Sequence, residues 1–141
     1  FPENVLEDDA AMIGLCAGPG LSAICRTPLA MGLLTGKYNS ETQFKPGDLR
    51  GKGGAPWMTY YHDGKPDEEM LGRLAAIREI LTSDGRTLAQ GCQCWVLGHG
   101  AHSIPIPGFR SEKQVRENVS ALEHGPLTKA QMEEIEAILR G

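Results

Sequence analysis

Long apolar runs are absent from this sequence. Nowhere in its 141 residues do about 20 apolar residues follow one another, which is the length that a membrane-spanning helix needs. Residues 1–4 (FPEN) carry neither the basic nor the apolar region of a secretory signal, and no initiator methionine precedes them. We therefore expect no membrane span and no signal peptide, and the start is consistent with a sequence that begins inside a longer protein.

An excess of basic residues is also lacking. The chain has 14 Lys and Arg against 18 Asp and Glu, which gives a net charge of −4 and a pI near 5.5. Positive charge supplies much of the binding to nucleic acids and anionic membranes, so this balance argues against both as partners. A hydrophobic content of 40% and a charged content of 23% are typical of a soluble globular protein and exclude a disordered one.

No CxxC pair is present among the four cysteines, which are Cys16, Cys25, Cys92 and Cys94. A chain of this length does not need disulfides, so we expect reduced thiols and a cytoplasmic protein. The spacing Cys92-x-Cys94-x4-His99-x2-His102 contains four residues that could bind zinc. Because positions i and i+2 of a helix point to nearly opposite sides, we favour cysteines as small core residues and predict no metal site.

Hydrophobic periodicity predicts two strands and at least four helices. Short apolar runs at 21–25 and 103–106 indicate the strands. One helix is predicted after Asp67, and an irregular pattern near 7–15 indicates a further one. Capping boxes, in which a Ser or Thr is followed three residues later by Gln, predict helix starts at Thr87, Ser111 and Thr128.

The order of these elements predicts one α/β domain, rich in helix, over residues 1–141. Residues 38–66 carry few apolar residues and many Gly, Pro and Asp. Because so long a connection is usually functional or disordered, we predict a long flexible loop there.

The segment 104–118, IPIPGFRSEKQVREN, has the features of an anion-binding turn. A strand runs into Gly108, which permits close approach of a ligand, and then into a helix that begins near Ser111. Free amides and the positive end of the helix dipole attract anions there, and Arg110 adds a forked permanent charge. A polar stripe follows at i+4, i+7 and i+8 from Arg110, formed by Gln114, Glu117 and Asn118. The residues alone leave open a solvated helix face after an ordinary turn.

The segment 26–38, RTPLAMGLLTGKY, follows the first strand. Gly32 and Gly36 permit a tight backbone, and Lys37 supplies a point charge. The GxxxxGK[ST] pattern is absent, which excludes a P-loop. The residues alone leave open a glycine-punctuated loop that packs its leucines.

Together these two segments resemble the aldo-keto reductase family. RTPLAMGLLTGKY is similar to that family's loop after barrel strand seven, and IPIPGFRSEKQVREN to its strand eight and the helix that follows. The stretches LGRLAAIREILTSDGRTLAQ and ALEHGPLTKAQMEEIEAIL resemble its late helices, so the resemblance runs from about Asn4 to the end. It implies an incomplete (β/α)8 TIM barrel, made of the last βα units and the C-terminal helices, and an oxidoreductase that reduces aldehydes and ketones with NADPH.

The resemblance also implies a set of cofactor-binding residues. The loop around pyrophosphate and ribose corresponds to Arg26, Thr27, Pro28, Leu29, Met31 and Gly32. Lys37 corresponds to a lysine that meets phosphate, and Gly108 and Arg110 correspond to the clamp on the 2′-phosphate. The adenosine end corresponds to Gln114, Glu117 and Asn118. Arg50 lies in the variable loop, which does not align, and its assignment is left open.

The family's catalytic Asp, Tyr, Lys and His come from the first half of the barrel, and we assign no catalytic residue to this chain. The tyrosines and histidines of this chain, with Lys37, are interpreted as solvated loop residues: Tyr38, Tyr60, Tyr61, Lys37, His62, His99, His102 and His124. The sequence therefore predicts binding of NADP(H) or a phosphate-like anion, without carbonyl reduction by the chain alone. Alternatives are a stand-alone nucleotide- or anion-binding module and a structural remnant that binds nothing. We also expect self-association, or pairing with a missing N-terminal half, because two strands leave apolar faces uncovered.

Overall fold

The computed structural model describes residues 4–7, 10–18, 20–53 and 57–141, except for the side chains of residues 10 and 11. Its helices and strands are α1 (Ala10–Cys16), β1 (Ala23–Cys25), β2 (Tyr61–His62), β3 (Lys65–Pro66), α2 (Glu68–Leu81), α3 (Leu88–Gly98), β4 (Ser103–Pro105), α4 (Glu112–His124) and α5 (Lys129–Arg140). Two 3₁₀ segments cover Ala30–Thr35 and Ser83–Gly85. The predicted helix-rich α/β class is confirmed. Within the described ranges, no helix has the length and apolar character to cross a membrane.

The strands form two small sheets. β1 and β4 pair in parallel, with Ala23 opposite Ser103 and Ile24 opposite Ile104, whereas β2 and β3 form an antiparallel hairpin. The chain leaves β1, passes through α2 and α3 and returns at β4, which is the helical crossover that two parallel strands require. Among the described residues this parallel sheet has two strands and no closed barrel is formed.

Helix α3 is the centre of the core. Every residue from Leu88 to Val96 is buried, because α3 packs against α2, α4, α5 and β4. Gly91 permits the approach to α2, since a Cβ added at this position would lie 2.0 Å from the carbonyl oxygen of Leu81. A surface helix buries one apolar stripe, whereas α3 is buried on all sides, including its polar residues Gln90 and Gln93.

Two of the three predicted capping boxes form completely. Thr87 with Gln90 and Thr128 with Gln131 exchange both hydrogen bonds. The Ser111 box forms only in half. Ser111 Oγ accepts from the Gln114 amide, but Gln114 Oε1 accepts from the Arg110 amide at 2.7 Å instead of from Ser111.

Residues 38–66 contain the β2–β3 hairpin and a packed aromatic cluster, neither of which is predicted from the sequence pattern. The rings of Tyr38, Phe44 and Tyr61 meet edge to face, with centroids 5.0 to 6.3 Å apart. Flexibility of the segment stays a prediction.

The interpretation of the tyrosines and histidines as solvated needs correction. Tyr60 and Tyr61 are buried, at 2% and 6% exposure, because the segment 38–66 folds their rings against the core. Tyr38, His99 and His102 are half-buried. Exposed side chains are found at Lys37, His62 and His124.

Candidate functional site

A cleft opens where the chain leaves the two parallel strands. Because β1 and β4 are parallel and in register, the loop after β1 and the turn after β4 begin at the same edge of the sheet. The cleft between them has a volume of about 670 Å³, which lies in the range of small-molecule sites. Nine of the twelve predicted cofactor-binding residues line it: Thr27, Pro28, Leu29, Met31, Gly32, Lys37, Gly108, Arg110 and Gln114.

The other three predicted residues do not line the cleft. Arg26 is exposed outside it. On α4, the Asn118 side-chain oxygen accepts from Gln93 Nε2 at 3.2 Å, and the Glu117 carbonyl accepts from Gln90 Nε2 at 3.3 Å. The later part of the polar stripe is thus partly used to hold α4 against α3, and its contact with an adenosine group stays a prediction.

The loop after β1 has an unusual backbone. Thr27, Ala30 and Met31 have φ values of 57°, 45° and 52°, in the left-handed region that non-glycine residues rarely occupy, and Gly32 follows at 97°. Each non-glycine residue in this region costs about 1 kcal/mol or more. The loop is anchored to the core, because Ala30, Leu33 and Leu34 are fully buried.

Other residues of the cleft were not assigned from the sequence. Arg50 forms a forked ion pair with Asp48, in which Nε and Nη2 lie 2.9 and 2.8 Å from the two carboxylate oxygens. Tyr38, Leu49 and Phe109 also line the cleft. In the sequence, this ion pair is marked only by an Asp and an Arg two residues apart in a Gly-rich loop. Such a loop has no helical or strand periodicity, so the position of the pair in the fold could not be predicted.

Electrostatics make the cleft positive within an acidic chain. The hydrogen bonds from Arg50 hold the pKa of Asp48 well below its usual range, and the charge of Arg110 lowers it further. The Asp48 carboxylate in turn raises the pKa of Arg50. Both groups are therefore charged at neutral pH, and with Lys37 and Arg110 the lining residues carry three positive charges and one negative charge.

The turn after β4 offers fewer free amides than the sequence suggested. The amides of Arg110 and Gln114 are already bonded, to Gln114 Oε1 and Ser111 Oγ. The Arg110 side chain is exposed at the cleft. Its guanidinium, more than the backbone of the turn, is thus the group that can reach an anion here.

The cysteines of the zinc-like spacing lie in separate surroundings. Cys92 Sγ donates to the Leu34 carbonyl at 3.9 Å, and Cys94 Sγ to the Ala121 carbonyl at 3.5 Å, on the other side of α3. Burial raises the pKa of both thiols. No group of three or more His, Cys, Asp or Glu in the described part of the chain is placed to hold a metal ion.

In (β/α) barrels, ligand sites lie at the carboxyl ends of the parallel strands, which is where this cleft opens. The chain belongs to the aldo/keto reductase family, whose model matches residues 4–140. It is 31% identical over 122 residues to "Aldo-keto reductase yakc [NADP(+)]" of Schizosaccharomyces pombe, an overlap of 86% of this chain and 34% of the relative. It is 32% identical over 108 residues to the chloroplastic pyridoxal reductase of Arabidopsis thaliana, with 77% and 26% covered.

Solved structures show the same fold. Aldo-keto reductase AKR11C1 from Bacillus halodurans, in a holo form, superposes with a TM-score of 0.61 at 25% identity, over 97% of this chain and 40% of that one. The thermostable aldo-keto reductase Tm1743, in complex with the inhibitor epalrestat, gives 0.62 at 18% identity, over 97% and 38%. The chain spans about a third of the length of the fission-yeast relative, about a quarter of that of the Arabidopsis relative and about two fifths of these two solved chains.

Proposed function

We propose that this chain is the NADP(H)-binding C-terminal part of an aldo-keto reductase, and that its cleft receives the phosphate-bearing end of the cofactor. The observation that carries the proposal is the convergence of Lys37 and Arg110 with the left-handed loop in one positively charged cleft. The NADP(+) in the name of the fission-yeast relative supports the choice of ligand.

The residues of the cleft fit an anionic nucleotide. Arg110 presents a permanent fork of donors suited to a phosphate, and Lys37 adds a compact point charge. Gly108 leaves the backbone accessible to a ligand at the cleft, since nothing lies within 4 Å of a Cβ added there. The cofactor, when bound, supplies hydride transfer, and the chain's own residues bind and orient its phosphate end.

We propose further that the chain alone does not reduce carbonyl compounds. Hydride transfer to a carbonyl needs a positioned proton donor. The Tyr60 hydroxyl is engaged with Asn4 and Glu7, the Tyr61 hydroxyl with the Met31 carbonyl and the Tyr38 hydroxyl with Arg50. Burial also raises the pKa of Tyr60 and Tyr61.

An activity assay tests that absence of catalysis. NADPH oxidation with a generic aldehyde is expected to stay at the rate of a protein-free control. Steady turnover that a point substitution in this chain abolishes would overturn the proposal.

The binding proposal is tested with Arg110→Ala. Loss of one charge-assisted fork is expected to weaken binding of 2′,5′-ADP by roughly ten- to a hundredfold, measured by calorimetry. Arg116→Ala is the matched control, because Arg116 is exposed on α4, pairs with Glu112 and does not line the cleft. Equal binding by the parent and Arg110→Ala, or no binding by the parent at millimolar ligand, would contradict the proposal.

We propose finally that the open face of the parallel sheet is covered by polypeptide, and by a second copy when this chain is alone. Ile24 and Ile104 are register partners on that face and are 65% and 43% exposed, with Ile106 at 51%. The chain exposes 8226 Å², whereas a compact monomer of this mass exposes about 7,100 Å². Sedimentation at high micromolar concentration is expected to show a dimer that Ile24→Lys weakens. A monomer throughout would overturn this proposal.

A further inference from the structure

The left-handed loop of the cleft is held by hydrogen bonds from the segment 38–66. The Met31 carbonyl accepts from the Tyr61 hydroxyl at 3.3 Å and from Arg50 Nη1 at 3.5 Å, both at the long end of hydrogen-bond distances. Both donors therefore act on the same peptide group, which joins Met31 to Gly32. Strained backbone of this kind persists only where its surroundings determine it.

Close packing on Gly32 holds the same point of the loop. A Cβ added there would lie 3.1 Å from Tyr38 Cε2 and 3.8 Å from Arg50 Nη1. The Tyr38 ring and the Arg50 guanidinium are thus seated directly on the Gly32 backbone. Tyr38 and Arg50 are joined in turn by a hydrogen bond of 2.8 Å from Nη1 to the phenol oxygen.

Arg50 has little capacity left for a ligand. One Nε–H and one Nη2–H bond Asp48, and the two Nη1 hydrogens serve Tyr38 and Met31, so four of its five N–H donors are engaged. Its guanidinium lies 4.2 Å from the Phe44 ring centroid, and its side chain is 12% exposed. A group so enclosed is fixed in place, in contrast to the exposed Arg110.

We propose that Tyr38, Arg50 and Tyr61 form a clamp that positions the Met31–Gly32 backbone, and that Arg50 is a positioning residue, not a ligand of the phosphate. The clamp pre-organises the loop before any ligand binds, so the site is held by contacts within this chain. The part of this inference that concerns ligand affinity rests on the proposed function. The part that concerns loop conformation does not.

Amide hydrogen exchange tests the loop conformation without ligand. The Gly32 and Leu34 amides both bond the Leu29 carbonyl, at 2.8 and 3.3 Å, and so report the shape of the loop. In Tyr61→Phe and Arg50→Lys these two amides are expected to exchange about fivefold faster, from the loss of a weak hydrogen bond.

Two controls accompany the exchange experiment. Arg116→Gln removes an exposed cation of α4 that lies outside the cleft and is expected to leave loop exchange unchanged. Unchanged protection of the Val96 amide in α3 would show that each variant remains folded. Loop exchange in both clamp variants equal to that of the parent would overturn the proposal.

Salt dependence of 2′,5′-ADP binding separates positioning from direct contact. Asp48→Asn/Arg50→Gln, which removes the ion pair without changing the net charge of the cleft, and Tyr61→Phe are each expected to weaken binding about fivefold with the parent's salt dependence. Combining these changes is expected to lose little more, since both act on one carbonyl. Lys37→Gln, which removes a direct charge, is expected to reduce the salt dependence. A reduction by Asp48→Asn/Arg50→Gln equal to that of Lys37→Gln would overturn the positioning role. If the parent does not bind, the proposed function fails and the exchange result still decides the clamp.

Discussion

The same substitution, Gly→Ala, is expected to have opposite effects at two helical glycines. Gly91 lies in α3, and an added Cβ would sit 2.0 Å from the Leu81 carbonyl oxygen and 2.7 Å from its carbon. Gly72 lies in α2, and nothing is within 4 Å of a Cβ added there. The pair therefore separates close helix packing from intrinsic helix propensity.

The magnitudes follow from these contacts. An ordinary carbon–oxygen contact is longer than the 2.0 Å at Gly91 by about 1 Å or more, so the end of α2 must move away from the buried α3. Overpacking of this kind costs about 3 kcal/mol, the upper part of its usual range, and a gain of up to about 1 kcal/mol in helix propensity offsets it only partly. Gly72→Ala has only that gain, about 0.5–1 kcal/mol.

Urea unfolding followed by circular dichroism measures both variants against the parent. Gly91→Ala is expected to lose about 2 kcal/mol or more of unfolding free energy, and Gly72→Ala to gain up to about 1 kcal/mol. A Gly91→Ala variant as stable as the parent would refute the close approach of α2 and α3. A destabilised Gly72→Ala would refute the open surroundings of that residue.

Two further predictions concern titratable groups. Because Arg50 holds the pKa of Asp48 below its usual range, the stabilisation from Asp48 is complete above about pH 4 and is lost as pH falls below that value. Asp48→Asn should therefore be less stable than the parent at pH 7, and its unfolding free energy should fall less than that of the parent on acidification. An equally steep fall in acid would contradict this. Since Cys92 is fully buried and its thiol pKa is raised, it should react with an aromatic disulfide reagent only as the chain unfolds, and later than the half-buried Cys16. Labelling of Cys92 at the rate of Cys16 would contradict this.

The first residue of a helix could be predicted accurately where a capping box precedes it, because capping depends only on residues close in sequence. The Thr87 and Thr128 boxes predict helices from the next residue, and α3 and α5 begin at Leu88 and Lys129. Strand lengths could not be predicted so closely. The run at 21–25 predicts five residues, whereas β1 has three, because pairing with β4 decides where a strand ends.

The cleft could be predicted in part, from motifs that are contiguous in sequence. Segments 26–38 and 104–118 each carry a local pattern, and together they supply thirteen of the residues that line the cleft, nine of which were predicted to bind the cofactor. The contacts of Arg50 and Tyr61 with the Met31 carbonyl could not be predicted, since they join residues 19 and 30 positions apart in the sequence. No hydrophobic periodicity in residues 38–66 predicts those contacts.

The most direct test of the account is a map of backbone amide shifts on titration with 2′,5′-ADP. The account predicts saturable changes at Gly32, Gly108 and Arg110, which line the cleft, and none at Leu139, which lines a separate groove beside α5. Changes confined to that other groove, or no change at millimolar ligand, would contradict the assignment of the cleft as a phosphate-binding site.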